Sequence, residues 1–181
     1  MPRLHPAHRR SLATCCVALS AIGFLGCSPA PEPGPTPTPA FASEEEAFAA
    51  AEETYRALTA ALNRIDTRDP GTFEPLYALS SGDFEEADRE AYSKMHAEGY
   101  VIAGETVIIS FEGRTFDSTH LTVVADVCLD VSQVTVVDAQ GISQVSPDRP
   151  ARYALLVTFV SEGDRMLTDS AEVNEDGECA S

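Results

Sequence analysis

Apolar side chains recur in steps of three and four from Phe48 onward, at Ala51, Tyr55, Leu58, Leu62 and Ile65. That spacing is one face of a helix of about 22 residues. Ser43 and Glu46 open it with the separation of a capping box. Glu44, Glu45, Glu46, Glu52, Glu53 and Arg56 fall off the stripe, so they are expected to face water. The acidic first turn also suits the helix dipole. Asp69-Pro70-Gly71 ends the helix. A short turn or helix at residues 72–79 carries Phe73, Leu76 and Tyr77. Asp83 and Glu86 read as a second N-cap pair. Phe84, Ala87, Ala91 and Met95 then predict a second amphipathic helix, which stops at Gly99 as its C′ glycine.

After Gly99 the period changes to two. Residues 100–111 read as a strand with Val107, Ile109 and Phe111 on one face, and residues 113–118 as a turn. In residues 120–131 the alternation is clean. Leu121, Val123, Ala125, Val127, Leu129 and Val131 face one way, while His120, Thr122, Val124, Asp126, Cys128 and Asp130 face the other. Residues 134–137 extend this strand or form a short separate one. Residues 151–160 and 165–173 form a hairpin about Glu162-Gly163-Asp164. Residues 174–178 are an acidic tail. Helices first and antiparallel strands afterwards is an α+β order, not a βαβ alternation. It predicts N-terminal helices packed on a curved antiparallel sheet of about four strands. This element order over residues 42–173 resembles the nuclear transport factor 2-like (cystatin-like) cone.

Ahead of the helices lies a different kind of sequence. Arg3, Arg9 and Arg10 precede an uncharged run at residues 11–26, and no acidic residue appears before Glu32. A basic start followed by a short apolar run is the pattern of a secretory signal peptide. The run is shorter than the roughly 20 residues a spanning helix needs. Phe24-Leu25-Gly26-Cys27 resembles a bacterial lipobox, with Phe24 where Leu is usual and Leu25 where a small residue is usual. The resemblance implies a signal at residues 1–26, a diacylglyceryl group on the Cys27 sulfur and cleavage that leaves Cys27 as the new N-terminus. An ordinary secretory signal cut elsewhere, or an uncleaved anchor, is the alternative. Residues 27–42 then form the lipidated cysteine and a tether, and residues 43–181 a single domain. Six of the 12 prolines lie in residues 28–40, a composition that favours extended polyproline II and builds no core. At about 3.1 Å per residue such a spacer reaches roughly 40 Å.

Of five cysteines, Cys15 and Cys16 leave with the signal and Cys27 carries lipid. Cys128 and Cys179 remain, and an even remainder in an exported chain reads as one disulfide. Two separate thiols are the alternative. Further stretches resemble a group of uncharacterised actinobacterial lipoproteins. These are Asp69-Pro70 with Thr72-Phe73-Glu74-Pro75-Leu76-Tyr77, Met95-His96-Ala97 with Gly99, Asp126-Val127-Cys128-Leu129-Asp130-Val131-Ser132, and Ser146-Pro147-Asp148-Arg149-Pro150 with the strand after it. That resemblance implies location and architecture and brings no activity.

Charge and candidate chemistry narrow the function classes. The chain has 181 residues, with 12 Lys+Arg against 29 Asp+Glu and a net charge of -17. Phosphate binding needs clustered cations, so nucleic acid is excluded as a partner. Removing the three signal arginines makes the remaining chain more acidic still. Asp126 and Asp130 flank Cys128 on one strand face and are the nearest carboxylate pair, with Tyr55 and Tyr77 as phenol donors. That alternation is also what a sheet with one solvated face looks like. His96 and His120 lack ligand-spaced partners, so no metal site is read. Ser132, Ser143 and Ser146 show no base, and Glu175-Asp176-Gly177-Glu178 lacks the EF-hand spacing. No catalytic set, cofactor site or phosphate loop emerges. The expected protein is a binding or scaffold module, lipid-anchored on the extracellular face of the cell membrane. Its expected partner is another envelope protein or a small apolar ligand. The alternative is a lipid-anchored enzyme or small-ligand carrier that uses the interior of the cone.

Overall fold

The computed structural model describes residues 41–163 and 165–179. The signal, Cys27 and all but the last two residues of the tether lie outside the described residues.

Helix α1 spans Glu44–Leu62. Ser43 Oγ accepts the Glu46 amide at 3.1 Å, and Glu46 Oε2 accepts the Ala42 amide at 2.6 Å. The capping box therefore closes one residue further out than the Ser–Glu spacing implies. Phe41, which the sequence assigns to the tether, is buried and meets Phe116 edge-on at 6.3 Å. Packing begins before the capping serine. The helix also stops short of Ile65. Asn63 uses its side chain on Thr106, donating from Nδ2 to the carbonyl and accepting the amide at Oδ1, each at 2.9 Å. That pins the C-terminus of α1 to the start of the sheet. Ile65 still reaches the core from the loop.

A 3-10 turn at Pro70–Thr72 and helix α2, Glu74–Tyr77, follow. Helix α3 spans Gly82–Glu98. Its N-cap position is held by Ser81, and Asp83 lies inside the first turn. Ser81 Oγ donates to Asp169 Oδ1 at 3.0 Å, so the hydroxyl is committed to the sheet. The buried residue of α3 is Tyr92, with Phe84 and Met95 partly buried, while Ala87 and Ala91 are exposed. The Tyr92 ring packs at 5.5 Å on Phe73, and this large aromatic sets which face turns inward. Gly99 ends α3 at φ 73, where a left-handed residue lets its amide reach the His96 carbonyl.

The strand expected over residues 100–111 is broken. Strand β1 is Val101–Ala103, and β2 is Val107–Asp117. Gly104 separates them at φ 87, where an added Cβ would lie 1.9 Å from the Gln133 carbonyl oxygen. Strands β3, Thr122–Asp130, β4, Thr135–Val137, β5, Arg152–Glu162, and β6, Arg165–Val173, complete the set. β1 pairs only with β4, as a small antiparallel sheet. The main sheet has the order β2-β3-β5-β6, antiparallel throughout.

Gly113 belongs to β2 and not to a turn. An added Cβ there would meet the Phe48 ring at 2.3 Å, so the glycine makes room for that ring. The turn falls later, where Asp117 Oδ1 accepts the amides of Thr119 and His120.

The inner sheet face carries Val123, Ala125, Val157 and Phe159, all at 0% exposure. Tyr55 of α1 lies 6.0 Å from Phe159 and 6.4 Å from Phe111, and those two rings are 5.9 Å apart. These rings fill the space between helix and sheet. The fold is α+β, with helices packed against an antiparallel sheet of four strands.

Candidate functional site

The alternation of β3 sends Asp126, Cys128 and Asp130 to the face opposite the helices. There the C-terminal tail crosses the sheet as a strap. The Asn174 amide donates to the Ala154 carbonyl at 2.9 Å, and its Nδ2 donates to Asp126 Oδ1 at 3.0 Å. Cys179 is joined to Cys128, which ties down the far end of the strap. Gly177 sits close to Asn174 and Ala154, where a Cβ would come within 2.9 Å of both side chains.

Beneath the strap lies a cleft of about 310 Å³, lined by Ser110, Glu112, Asp126, Ala154 and Glu178 among others. Asp126 is half-engaged already, since Arg114 reaches it at 3.4 Å. A second cleft of about 400 Å³ opens at the other end of the same face, between Glu105, Val107, Ile109, Asp130, Ser132 and Arg152. Hydrogen bonds from Ser132, and then Arg152 beside it, hold the Asp130 carboxyl below the usual carboxylate range.

The proton-transfer set weighed from sequence does not assemble. Asp126 and Asp130 are on the outer face, while Tyr55 is in the core on the inner side, its phenol pushed up to about 12 by burial. Tyr77 belongs to the same core, with the Arg89 guanidinium 4.0 Å from its ring centre. His96 Nδ1 bonds the Thr67 carbonyl at 2.8 Å, tying the end of α3 to the loop after α1. His120 pairs with Asp117 at 2.7 Å within one turn. That contact and two backbone amides hold the Asp117 carboxyl down at about 2. Ser132 and Ser146 shape local turns through the Asp130 and Asp148 contacts, and Ser143 bonds within its own loop. Among the described residues no group of three or more His, Cys, Asp or Glu is placed to hold a metal ion.

Sequence reasoning missed how the outer face is built. The period-two reading of β2 puts Val107, Ile109 and Phe111 on one face, yet Phe111 packs on the core while Val107 and Ile109 are 53% and 38% exposed. The ladder pairs Ile108 with Leu129 and Ser110 with Cys128, which leaves Ile109 as an extra residue. This bulge reverses the alternation, so Ile108 and Phe111 face the core. The unbroken run Val107-Ile108-Ile109 was the available signal, since three successive branched residues define no face. Asp169 is likewise the extra residue at the β5–β6 register shift, which directs it to Ser81.

One carboxyl outside this face also responds to burial. Asp88, half-buried on α3, has its carboxyl pushed from 3.8 up to about 6 by desolvation. Across that window the folded chain keeps a proton that the unfolded chain has released. Stability therefore falls as pH rises through the window. Asp88→Asn is expected to flatten the fall and to be the more stable form at pH 7, by under about 1 kcal/mol because the carboxyl is partly solvated. Denaturant midpoints of both proteins at several pH values across the window check this. Parallel profiles would contradict it.

No protein-family model matches the sequence, and no curated protein matches it. Three solved structures are similar in shape. The intermembrane space region of the chloroplast protein ARC6 superposes with a TM-score of 0.50 at 11% identity, covering 70% of this chain and 95% of that one. Aln2 from a Streptomyces species gives 0.44 at 16% identity, covering 74% and 93%. A de novo β-sheet design gives 0.35 at 18%, covering 74% and 92%. The first of these bears on the fold alone, and it agrees with helices packed on an antiparallel sheet.

Proposed function

We propose that this protein is a lipid-anchored binding or scaffold module on the outer face of the cell membrane, resembling actinobacterial lipoproteins and built on a nuclear transport factor 2-like cone. The observation that carries the binding role is the filled interior. Tyr55, Phe111 and Phe159 occupy the space that an enzyme or carrier of this shape would leave open. Recognition then falls to the outside of the molecule, and two clefts lie on the outer face of the sheet.

The anchor reading rests on the lipobox-like Phe24-Leu25-Gly26-Cys27 and the proline-rich spacer after it. Two acyl chains on one cysteine meet the requirement for stable membrane attachment. Among the described residues no helix is long and apolar enough to cross a membrane. The acidic chain is repelled by an anionic membrane or wall polymer, so attachment needs a covalent anchor. Cys27→Ala is expected to move the protein from the membrane fraction to the medium or the unprocessed precursor pool. Unchanged membrane retention of mature protein would overturn the anchor. Crosslinking on intact cells tests the binding role. Recovery of a defined partner protein supports it, whereas recovery of a bound small molecule alone favours a carrier.

A further inference from the structure

We propose that the cleft around Val107 and Ile109 is the docking surface of this module, and that its partner is a basic polypeptide segment carrying branched apolar side chains. The proposal rests on the binding-module reading above and adds the surface and the chemistry of the partner.

Three observations carry it. The first is the bulge at Ile109. Val107 and Ile109 lie on the solvent face on either side of inward Ile108, and the extra residue lets Phe111 return to the core without drawing that pair in with it. Two large branched side chains then sit together in one cleft and not singly on the surface. Scattered exposed apolar residues need no explanation, but an adjacent pair inside a polar rim has the anatomy of an interface centre.

The second is the rim. Glu105, Asp130 and Ser132 surround the pair, and Arg152 lies 3.6 Å from Asp130. The one cation of the cleft is thus already matched to a carboxylate. Glu105 is exposed and supplies negative charge for a partner to meet.

The third is the net charge of -17. A second copy would bring the same charge to the contact, as would an acidic protein, and both are opposed by repulsion. A basic segment is attracted, and its apolar side chains cover Val107 and Ile109. The contact lies on β2, an edge strand with no neighbouring strand on its far side among the described residues. An extended segment can therefore meet this edge without displacing a paired strand.

The test uses the full chain and three synthetic hexapeptides, alternating Arg–Val, Arg–Ser and Glu–Val, with affinity read by fluorescence anisotropy. The Arg–Val peptide is expected to bind, and the Val107→Ser, Ile109→Ser double variant to weaken it about tenfold, which corresponds to 1.4 kcal/mol. Glu105→Gln is expected to weaken it severalfold, and added salt to weaken it further. Both side chains are exposed, so thermal unfolding of the double variant should match that of the unaltered protein. Glu45→Gln, on the distant first turn of α1, is the charge control and should bind as the unaltered protein does. Equal affinity of the double variant, equal affinity for the Arg–Ser or the Glu–Val peptide, or no binding of the Arg–Val peptide would each overturn the proposal. If a cellular partner still crosslinks through another face, the module reading survives that result. If no partner crosslinks at all, the module reading fails separately.

Discussion

Phe159→Ala is expected to lower the free energy of unfolding by about 3–5 kcal/mol, the range for emptying a large aromatic site in a core. Phe159 is fully buried, with 0% of its surface exposed. Its ring touches two others that cannot follow it inward. Tyr55 is fixed on α1 at 6.0 Å, and Phe111 is fixed on β2 at 5.9 Å. The loss therefore combines transferred surface, a cavity bounded by rigid elements and two aromatic pairs. Total stability of a domain this size is about 5–15 kcal/mol, so the variant should retain a small fraction of it. Urea denaturation monitored by circular dichroism measures the change. A loss under about 1 kcal/mol would mean that α1 and the sheet close over the gap, and that the interior is less firmly filled than the ring contacts indicate.

Removing the disulfide is the second large effect. Cys128 and Cys179 are separated by 51 positions. Restricting an unfolded loop of that length corresponds to about 4 kcal/mol in the chain-entropy account. Cys128→Ala with Cys179→Ala is expected to cost about that much, and to lower the melting temperature by on the order of 10 °C. The secondary structure at 25 °C should nonetheless persist. Cys179 lies beyond the last strand, and the segment it restrains sits on the outer face, away from the aromatic core. Freed from Cys128, the strap keeps the Asn174 hydrogen bonds to Ala154 and Asp126 and the close approach of Gly177. Amide exchange should then rise in residues 175–179 through local opening, and in the core of β3 only by the amount that the lower global stability allows. Thermal unfolding and hydrogen exchange of the double variant check both parts. A melting temperature within about two degrees of the unaltered protein would contradict the entropic account.

The docking cleft should behave in the opposite way. Val107 and Ile109 resemble core residues by type, yet substituting them should leave stability almost unchanged. Side-chain chemistry alone does not distinguish them from Phe111, two positions further on. The difference comes from one extra residue in the ladder between Ile108 and Ser110. A bulge shifts parity for everything beyond it, and nothing in a run of three branched residues marks where it falls.

Much of the fold was legible because its signals are local. The Ser43–Glu46 cap, the stripe through Ala51, Tyr55 and Leu58, the stop at Gly99 and the alternation of β3 all depend on neighbours within a few positions. Each appears in the structure, the cap with its carboxylate one residue further out. The misreadings share the opposite origin. Gly104 breaks a strand because Gln133 lies against it, and Gly113 stays in a strand because Phe48 needs its space. Asp83 lost the cap position to Ser81, whose hydroxyl is held by Asp169 reaching across from β6. Ala87 and Ala91 lost the buried face to Tyr92 because Phe73 offers a ring to stack on. Every one of these partners is more than ten residues away.

Local pattern was enough to establish that helices precede antiparallel strands, the acidic charge and the even pair of cysteines in the domain. Periodicity, net charge and residue counts need no knowledge of what packs against what. Which face each strand presents, how the aromatic rings fill the interior and where the C-terminal strap lies came instead from the folded arrangement. Those are contacts between distant segments, and a single bulge or a single close approach is enough to redirect them. The surface proposed for binding belongs to this second class. It exists because the ladder slips by one residue at Ile109 and separates Phe111, in the core, from Val107 and Ile109, which local pattern had placed on the same face.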